Sequence, residues 1–202
     1  MNIVLICLFG YLIGSVPFAF VIGKVFYHTD VRRHGSGNLG GSNTGRVLGA
    51  KAGLAVMTLD ILKVTLVVFL ANVFCKTSLA VACGAVSAAI GHCYPVFAKF
   101  HGGKAVATMY GFLFGLWVCC GYSALTFFLP LITFMVVLFM FKIVSLSSML
   151  SSLPAVAYIW HGGKPIDIVI AAAVFALLII VRHSSNIKRM LSGTENKVKW
   201  IK

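Results

Sequence analysis

Apolar residues in this chain fall in long unbroken runs, separated by short polar stretches dense in glycine, serine, asparagine and basic residues. Runs of this kind lack the i, i+3, i+4, i+7 spacing of a helix with one wet face, and they suit helices surrounded by lipid. Seven stand out: Asn2–Tyr27, Ala50–Phe74, Ser78–His92, Val106–Gly121, Tyr122–Phe141, Leu146–Trp160 and Ile166–Val181. Crossing the hydrocarbon core takes about 20 residues of helix, so the third and sixth runs are short for a full crossing. The pattern predicts an all-α, polytopic membrane helix bundle of about seven transmembrane helices, forming a single domain over residues 1–202.

Composition supports the same class. Hydrophobic residues make up 60% of the chain and charged residues 10%, against about 25% charged in a soluble domain. The 202 residues leave room for crossings and short loops and for no separate soluble domain. In the first run the basic residues Lys24, Arg32 and Arg33 follow the apolar stretch, the reverse of a cleavable signal peptide. It is expected to be a retained first span with its N-terminus outside.

Charge then orients the bundle. With alternating spans, the loops near 28–49, 93–105 and 142–145 and the C-terminal tail share one face, which carries fourteen of the seventeen Lys and Arg residues. The opposite face carries Lys76 and Lys164 alone. Basic loops stay cytoplasmic, so the C-terminus and the rich face are expected in the cytoplasm. Anionic headgroups account for the tail cations Lys188, Arg189, Lys197, Lys199 and Lys202. Nucleic acid is excluded as a partner, because no soluble module presents a groove to it.

The first two basic loops contain more than lipid electrostatics requires. The first runs His34-Gly35-Ser36-Gly37-Asn38-Leu39-Gly40-Gly41-Ser42-Asn43-Thr44-Gly45-Arg46. Closely spaced glycines let backbone N–H groups converge on an anion. Ser36, Asn38, Ser42, Asn43 and Thr44 add neutral donors, and Arg46 adds a fork matched to phosphate oxygens. A flexible linker is the competing explanation, weakened by the interleaved asparagines and the closing arginine. The second loop leads through His101-Gly102-Gly103-Lys104 into an apolar helix, the layout of a phosphate held by backbone amides and one ammonium at a helix start. The same tetrapeptide recurs at His161–Lys164 on the opposite face; no polar cluster accompanies it, and it is expected to be a turn.

The third loop carries Ser145, Ser147 and Ser148, which also suit helix capping. The tail opens Arg182-His183-Ser184-Ser185-Asn186. His183 and Asn186 share a face if the last helix continues, whereas Arg182 is open to a purely snorkelling role. Asp60 and Lys63, three residues apart inside the second run, are expected to pair with each other. The six cysteines form no C-x-x-C pair and suit small apolar fillers. Histidine spacing fits no zinc site, and four carboxylates in the whole chain do not build a magnesium site.

Taken together, these loops resemble the acyl-phosphate:glycerol-3-phosphate acyltransferase family, PlsY, over nearly the whole chain. The resemblance is carried by Gly14-Ser15-Val16-Pro17-Phe18, Gly35–Asn43 with Arg46, Asp60-Ile61-Leu62-Lys63, Gly91-His92 to Pro95, and Gly102–Thr108. It continues in Ser145–Ser148, Arg182-His183 through Asn186-Ile187, and Gly193-x-Glu195. The chain departs from the family at Gly41-Ser42, where Ala-Thr is usual, at Ala105, where glycine follows the lysine, and at Lys142, near a usual arginine.

The resemblance implies a bacterial cell (inner) membrane enzyme with its active loops on the cytoplasmic side. It would transfer an acyl group from acyl phosphate to the sn-1 hydroxyl of glycerol 3-phosphate, giving lysophosphatidic acid and phosphate. No metal, cofactor or obligate protein partner is implied; membrane lipids surround it. Ser36, Gly37, Asn38, Ser42, Asn43, Arg46, Gly102, Gly103 and Lys104 are expected to bind the two phosphorylated substrates. Glycine-loop amides would stabilise the oxyanion. His183, Asn186 and Ser145 are the expected catalytic residues. Either His183 or His92 removes the hydroxyl proton, or a substrate phosphate takes it, and the substrate route is preferred because no carboxylate is placed to orient a histidine. A small anion carrier or channel component is the alternative function. It would need an internal inverted repeat and polar groups at the midplane, neither of which the chain presents.

Overall fold

The computed structural model describes residues 2–198; the tail lysines Lys199 and Lys202 lie outside the described residues. Each apolar run forms helix, and two short helices lie in the polar segments. The order is α1 (Ile3–Gly14), α2 (Phe18–Tyr27), α3 (Gly41–Leu48), α4 (Ala50–Phe74), α5 (Ser78–Cys93), α6 (Val106–Cys120), α7 (Leu125–Phe141), α8 (Val144–His161), α9 (Ile166–Arg182) and α10 (Ser184–Leu191).

Among the described residues, Ile3–Tyr27, Ala50–Phe74 and Ser78–Ala98 qualify as membrane spans by length and composition, and α9 with α10, bent by 54°, makes a fourth when the pair is taken as one span. α6 and α7 are apolar but shorter; the 15 residues of α6 reach about 22 Å, less than the ~30 Å hydrocarbon core. The first span is interrupted at Ser15-Val16-Pro17. Pro17 cannot donate a helical N–H, and the residue before a proline avoids helical angles.

Helices approach closely where side chains are small. Gly10 and Gly14 of α1 lie on the α5 backbone, so that an added Cβ would meet the carbonyls of Gly84 and Ala88. Gly111 of α6 likewise lies on the Ile61 carbonyl of α4, and Gly115 lies on the Val68 side chain. Such i, i+4 small-residue stripes let membrane helices pack through van der Waals contact where no hydrophobic force drives them together. Phe112 and Phe175 stack at 5.1 Å at the centre. Many large apolar side chains, among them Phe26, Leu54, Met140 and Leu177, face outward, as lipid contact requires.

α3 departs from the loop expected at 28–49. Gly49, at φ 96°, reverses the chain, and α3 folds back on the start of α4 with Gly41 and Gly45 against Gly53. Eight residues, mostly polar, give no apolar run, so α3 is invisible to hydropathy. Its effect is to fix the first loop against the bundle end.

Candidate active site

The basic loops converge at one end of the bundle. Asn38 Nδ2 donates to Gly102 O at 3.2 Å, Lys104 Nζ donates to Asn186 Oδ1, and Ser145 Oγ donates to Glu195 Oε1 at 2.8 Å. The backbone N–H of Val198 donates to Lys142 O at 2.8 Å. Four segments distant in sequence are thereby tied together. Between them lies a polar cleft of about 460 Å³ lined by Ser36, Asn38, Tyr94, Lys104, Val181, Arg182, Ser184, Ser185 and Arg189. Three cations and several neutral donors face it, with no carboxylate in its wall.

Lys104 is the most perturbed of these groups. Burial, then repulsion from Arg189, lowers its pKa to about 8, with Arg182 and Arg46 adding further repulsion. Its orientation depends on a chain of contacts through Asn186. Asn186 accepts from Lys104 and donates to Glu195 Oε1, while Arg189 Nε donates to Glu195 Oε2 at 2.7 Å. Burial alone would raise the Glu195 pKa, but hydrogen bonds from Asn186, Ser145 and Arg189 outweigh it and hold the carboxyl below its usual range. Glu195 is the hub that fixes Ser145, Asn186 and Arg189, and through Asn186 the cation of Lys104. It was singled out in sequence only as the end of Gly193-x-Glu195; a lone carboxylate among cations was the available signal.

His183 and Asn186 are both buried at the kink between α9 and α10, and of the two only Asn186 bonds Lys104. His183 Nδ1 donates to Ile179 O at 2.8 Å, which leaves Nε2 as the unprotonated nitrogen of the neutral ring. His92, the other expected base, is enclosed. Its Nδ1 meets Lys63 Nζ at 3.1 Å and Asp60 Oδ1 at 3.5 Å, and its ring lies against Gly103. A carboxylate does therefore stand beside one histidine, contrary to expectation, although Lys63 Nζ, 2.6 Å from Asp60, shares the contact.

Several glycine-loop residues hold structure instead of facing the cleft with free donors. The Asn43 amide is buried and fully engaged: Nδ2 donates to Val31 O and His34 O, and Oδ1 accepts from Ser36 N at 2.8 Å. Gly37 turns the loop at φ 68°. The Gly103 N–H donates to His92 O at 2.9 Å, so it is not available as an oxyanion donor. The carbonyls of Gly102 and Gly103 accept from Arg182 at 3.3 and 3.1 Å. Arg182 also lies 4.9 Å over the Tyr94 ring; it clamps the loop and does not snorkel. Ser42 and Arg46 are exposed on α3, with Arg46 near enough to repel the Lys104 charge.

Ser147 and Ser148 back-bond to Ile143 O and Val144 O within α8 and do not cap it. Ala105, where the resembling family has glycine, sits at φ 61°, a conformation costing an alanine about 1 kcal/mol; its fully buried methyl holds it there. Ser184, Ser185 and Arg189 line the cleft and were not among the expected site residues. Ser184 and Ser185 open α10, whose first-turn amides have no side-chain cap and so remain available to an anion. The second His-Gly-Gly-Lys is a turn after α8, with Lys164 over the Tyr122 ring at 4.8 Å.

The glycerol-3-phosphate acyltransferase family model matches residues 4–193. The chain belongs to the glycerol-3-phosphate acyltransferase family. A glycerol-3-phosphate acyltransferase of Geobacillus kaustophilus (strain HTA426) is 48% identical over 196 residues, 97% of this chain and 96% of the relative. One from Listeria monocytogenes serovar 1/2a is 44% identical over 203 residues, 99% and 98% of the two chains. Among solved structures, the glycerol 3-phosphate form of PlsY, an integral membrane glycerol 3-phosphate acyltransferase, superposes with TM-score 0.90 at 33% identity, covering 98% of this chain and 96% of that one. The lysophosphatidic acid form of PlsY gives 0.87 at 32% identity, covering 98% and 95%. This acyltransferase is thus an integral membrane protein of the PlsY fold.

Proposed function

We propose that this acyltransferase moves an acyl group from acyl phosphate to the sn-1 hydroxyl of glycerol 3-phosphate, at the cleft between the first loop, the Gly102–Lys104 loop and α10. The observation that carries the reading is a wall of Lys104, Arg182 and Arg189 with five neutral donor side chains and no carboxylate. It opens beside Val181 and Tyr94, both exposed on the flank of an apolar bundle. Phosphate and acyl chain can each be accommodated there, one in the polar cleft and one along the lipid face. The solved relatives in glycerol 3-phosphate and lysophosphatidic acid forms support an acceptor and a product of the same kind.

In this reading Lys104 and Arg189, with Ser36, Asn38 and the first-turn amides of α10, hold phosphate oxygens. The sn-1 oxygen attacks the acyl carbon, the bond from that carbon to the phosphate oxygen breaks, and inorganic phosphate leaves. The hydroxyl proton ends on that phosphate. His183 gives its Nδ1 hydrogen to a backbone carbonyl and, among the described residues, has no carboxylate bonded to it to stabilise an imidazolium, whereas a phosphate with a second pKa of about 6 is well matched to the proton. His183, Asn186 and Ser145 then position the groups that touch substrate. The amides of α10 and the Lys104 ammonium stabilise the oxyanion, replacing the Gly103 amide in that role.

The same reading takes seven crossings, with the N-terminus outside and the cleft at the cytoplasmic face of the bacterial cell (inner) membrane. The convergence of the basic loops on one bundle end supports it, together with the fourteen-to-two distribution of cations. The carrier alternative receives no support from the relatives, which are acyltransferases by name. The test is turnover by purified protein in detergent with acyl phosphate and glycerol 3-phosphate. Acceptor-dependent phosphate release with lysophosphatidate formed is expected; acylation from acyl-CoA alone would overturn the donor.

A further inference from the structure

Outside the cleft, three ionisable groups meet inside the bundle: Asp60 and Lys63 on α4 and His92 on α5, all buried. Lys63 Nζ lies 2.6 Å from Asp60 Oδ1, 3.1 Å from His92 Nδ1 and 3.1 Å from Val16 O, in the break between α1 and α2. Ionisable groups in a membrane bundle are costly and mark function unless pairing alone explains them. Pairing explains why Asp60 stands beside Lys63. It does not explain why the ammonium also reaches a histidine and a broken-helix carbonyl.

The far side of the histidine supplies the reason. With Nδ1 accepting from Lys63, the hydrogen of the neutral ring is on Nε2, and Nε2 lies where a Cβ on Gly103 would be. The Gly103 N–H donates to the His92 carbonyl at 2.9 Å. A Cβ on Gly102 would meet Pro95 Cδ at 2.5 Å and the Cys93 carbonyl carbon at 2.9 Å. The glycine loop is thus laid directly on His92, and the next residue is Lys104.

We propose that Asp60, Lys63 and His92 form a positioning relay: the buried ion pair fixes the His92 ring, and the ring is the floor that sets the height of Gly103 and therefore the place of the Lys104 ammonium. This rests on the reading of the cleft as the phosphate site. None of the three is a catalytic residue, since none lines the cleft. The relay also ties the phosphate loop to the break at Ser15–Pro17, so α1 and α2 are registered to the site through Val16 O.

The test is a suppression experiment in the full chain. Gly103→Ala is expected to raise KM for glycerol 3-phosphate about tenfold or more, within the coupling range of contacting residues, with a smaller change in kcat. His92→Asn keeps a polar atom at the Nδ1 position for Lys63 but removes the ring atom under Gly103. Combined with Gly103→Ala it is expected to bring KM back to near that of His92→Asn alone. If the double variant is instead as impaired as the two singles multiplied together, while Lys104→Ala has lost glycerol 3-phosphate binding, the relay is wrong and the site stands. If Lys104→Ala keeps the wild-type KM, the site reading itself fails. Should His92→Asn not fold, Asp60→Asn with Lys63→Met removes both charges together; a raised KM at unchanged melting temperature supports the relay, and an unchanged KM overturns it.

Discussion

Glu195→Gln removes one charge at constant shape, and its cost can be worked from the contacts. The carboxylate accepts from Ser145 and Asn186 on one oxygen and from Arg189 on the other. A glutamine has one oxygen, so its NH₂ must face either Arg189 or the Ser145–Asn186 pair, and donor then meets donor. A hydrogen bond to a charged group contributes about 1.5–3 kcal/mol and a neutral one about 0.5–1.5. Arg189 is 37% exposed at its side chain and Glu195 only 7%, so solvent reduces the Arg189 contact to about 1 kcal/mol or less. Weakening both buried bonds and losing the third gives about 3 kcal/mol in total, or roughly 6–12 °C in melting temperature for a chain of this size. Because Asn186 also holds Lys104, kcat/KM for glycerol 3-phosphate should fall about tenfold or more.

The pH dependence gives the sign. The Glu195 pKa is lowered from 4.5 on folding, so its contribution is complete above 4.5 and disappears as pH falls through the lower folded value. Thermal unfolding in detergent should show a constant gap between wild type and variant from pH 5 to 8, closing only in acid. A variant that melts within a degree or two of wild type at pH 7, with its KM intact, would refute the hub.

Lys104, with its pKa near 8, should lose its charge in the free enzyme as pH rises, so kcat/KM for glycerol 3-phosphate declines above about pH 8, while Lys104→Arg carries no such limb below pH 10; a flat wild-type profile would contradict this. Arg182→Lys gives up a two-pronged grip on the Gly102 and Gly103 carbonyls, and a tenfold rise in KM, about 1.4 kcal/mol, is expected where a snorkelling residue would show none. Asn43→Ala removes three hydrogen bonds of one buried amide and should lower stability by about 2–4 kcal/mol, read as a fall in melting temperature.

The apolar helices were legible because a membrane helix announces itself by an unbroken apolar run, and α4 matches its run residue for residue at Ala50–Phe74. Asp60 and Lys63 were legible as a pair because i, i+3 spacing brings them to one helix face. His92 was not legible as their third member, since 29 residues separate it from Lys63 and only the packing of α5 on α4 unites them. α3 escaped because it is short and polar. The glycine loops looked like nests of free amides, but hydrogen bonding within the fold decides which amides are free: Gly103 gives its N–H to His92, while α10 leaves its first turn uncapped. That choice depends on backbone direction, which composition does not encode.

The chain carries its own control for the central claim, because His-Gly-Gly-Lys occurs at both ends of the bundle. Steady-state kinetics with glycerol 3-phosphate should be compared for Lys104→Ala and Lys164→Ala in detergent. The account predicts a loss of at least about a hundredfold in kcat/KM for Lys104→Ala, the scale of removing a buried charged contact to phosphate, and wild-type kinetics for Lys164→Ala. Equal effects of the two substitutions, or an unimpaired Lys104→Ala, would contradict a phosphate site in the cleft.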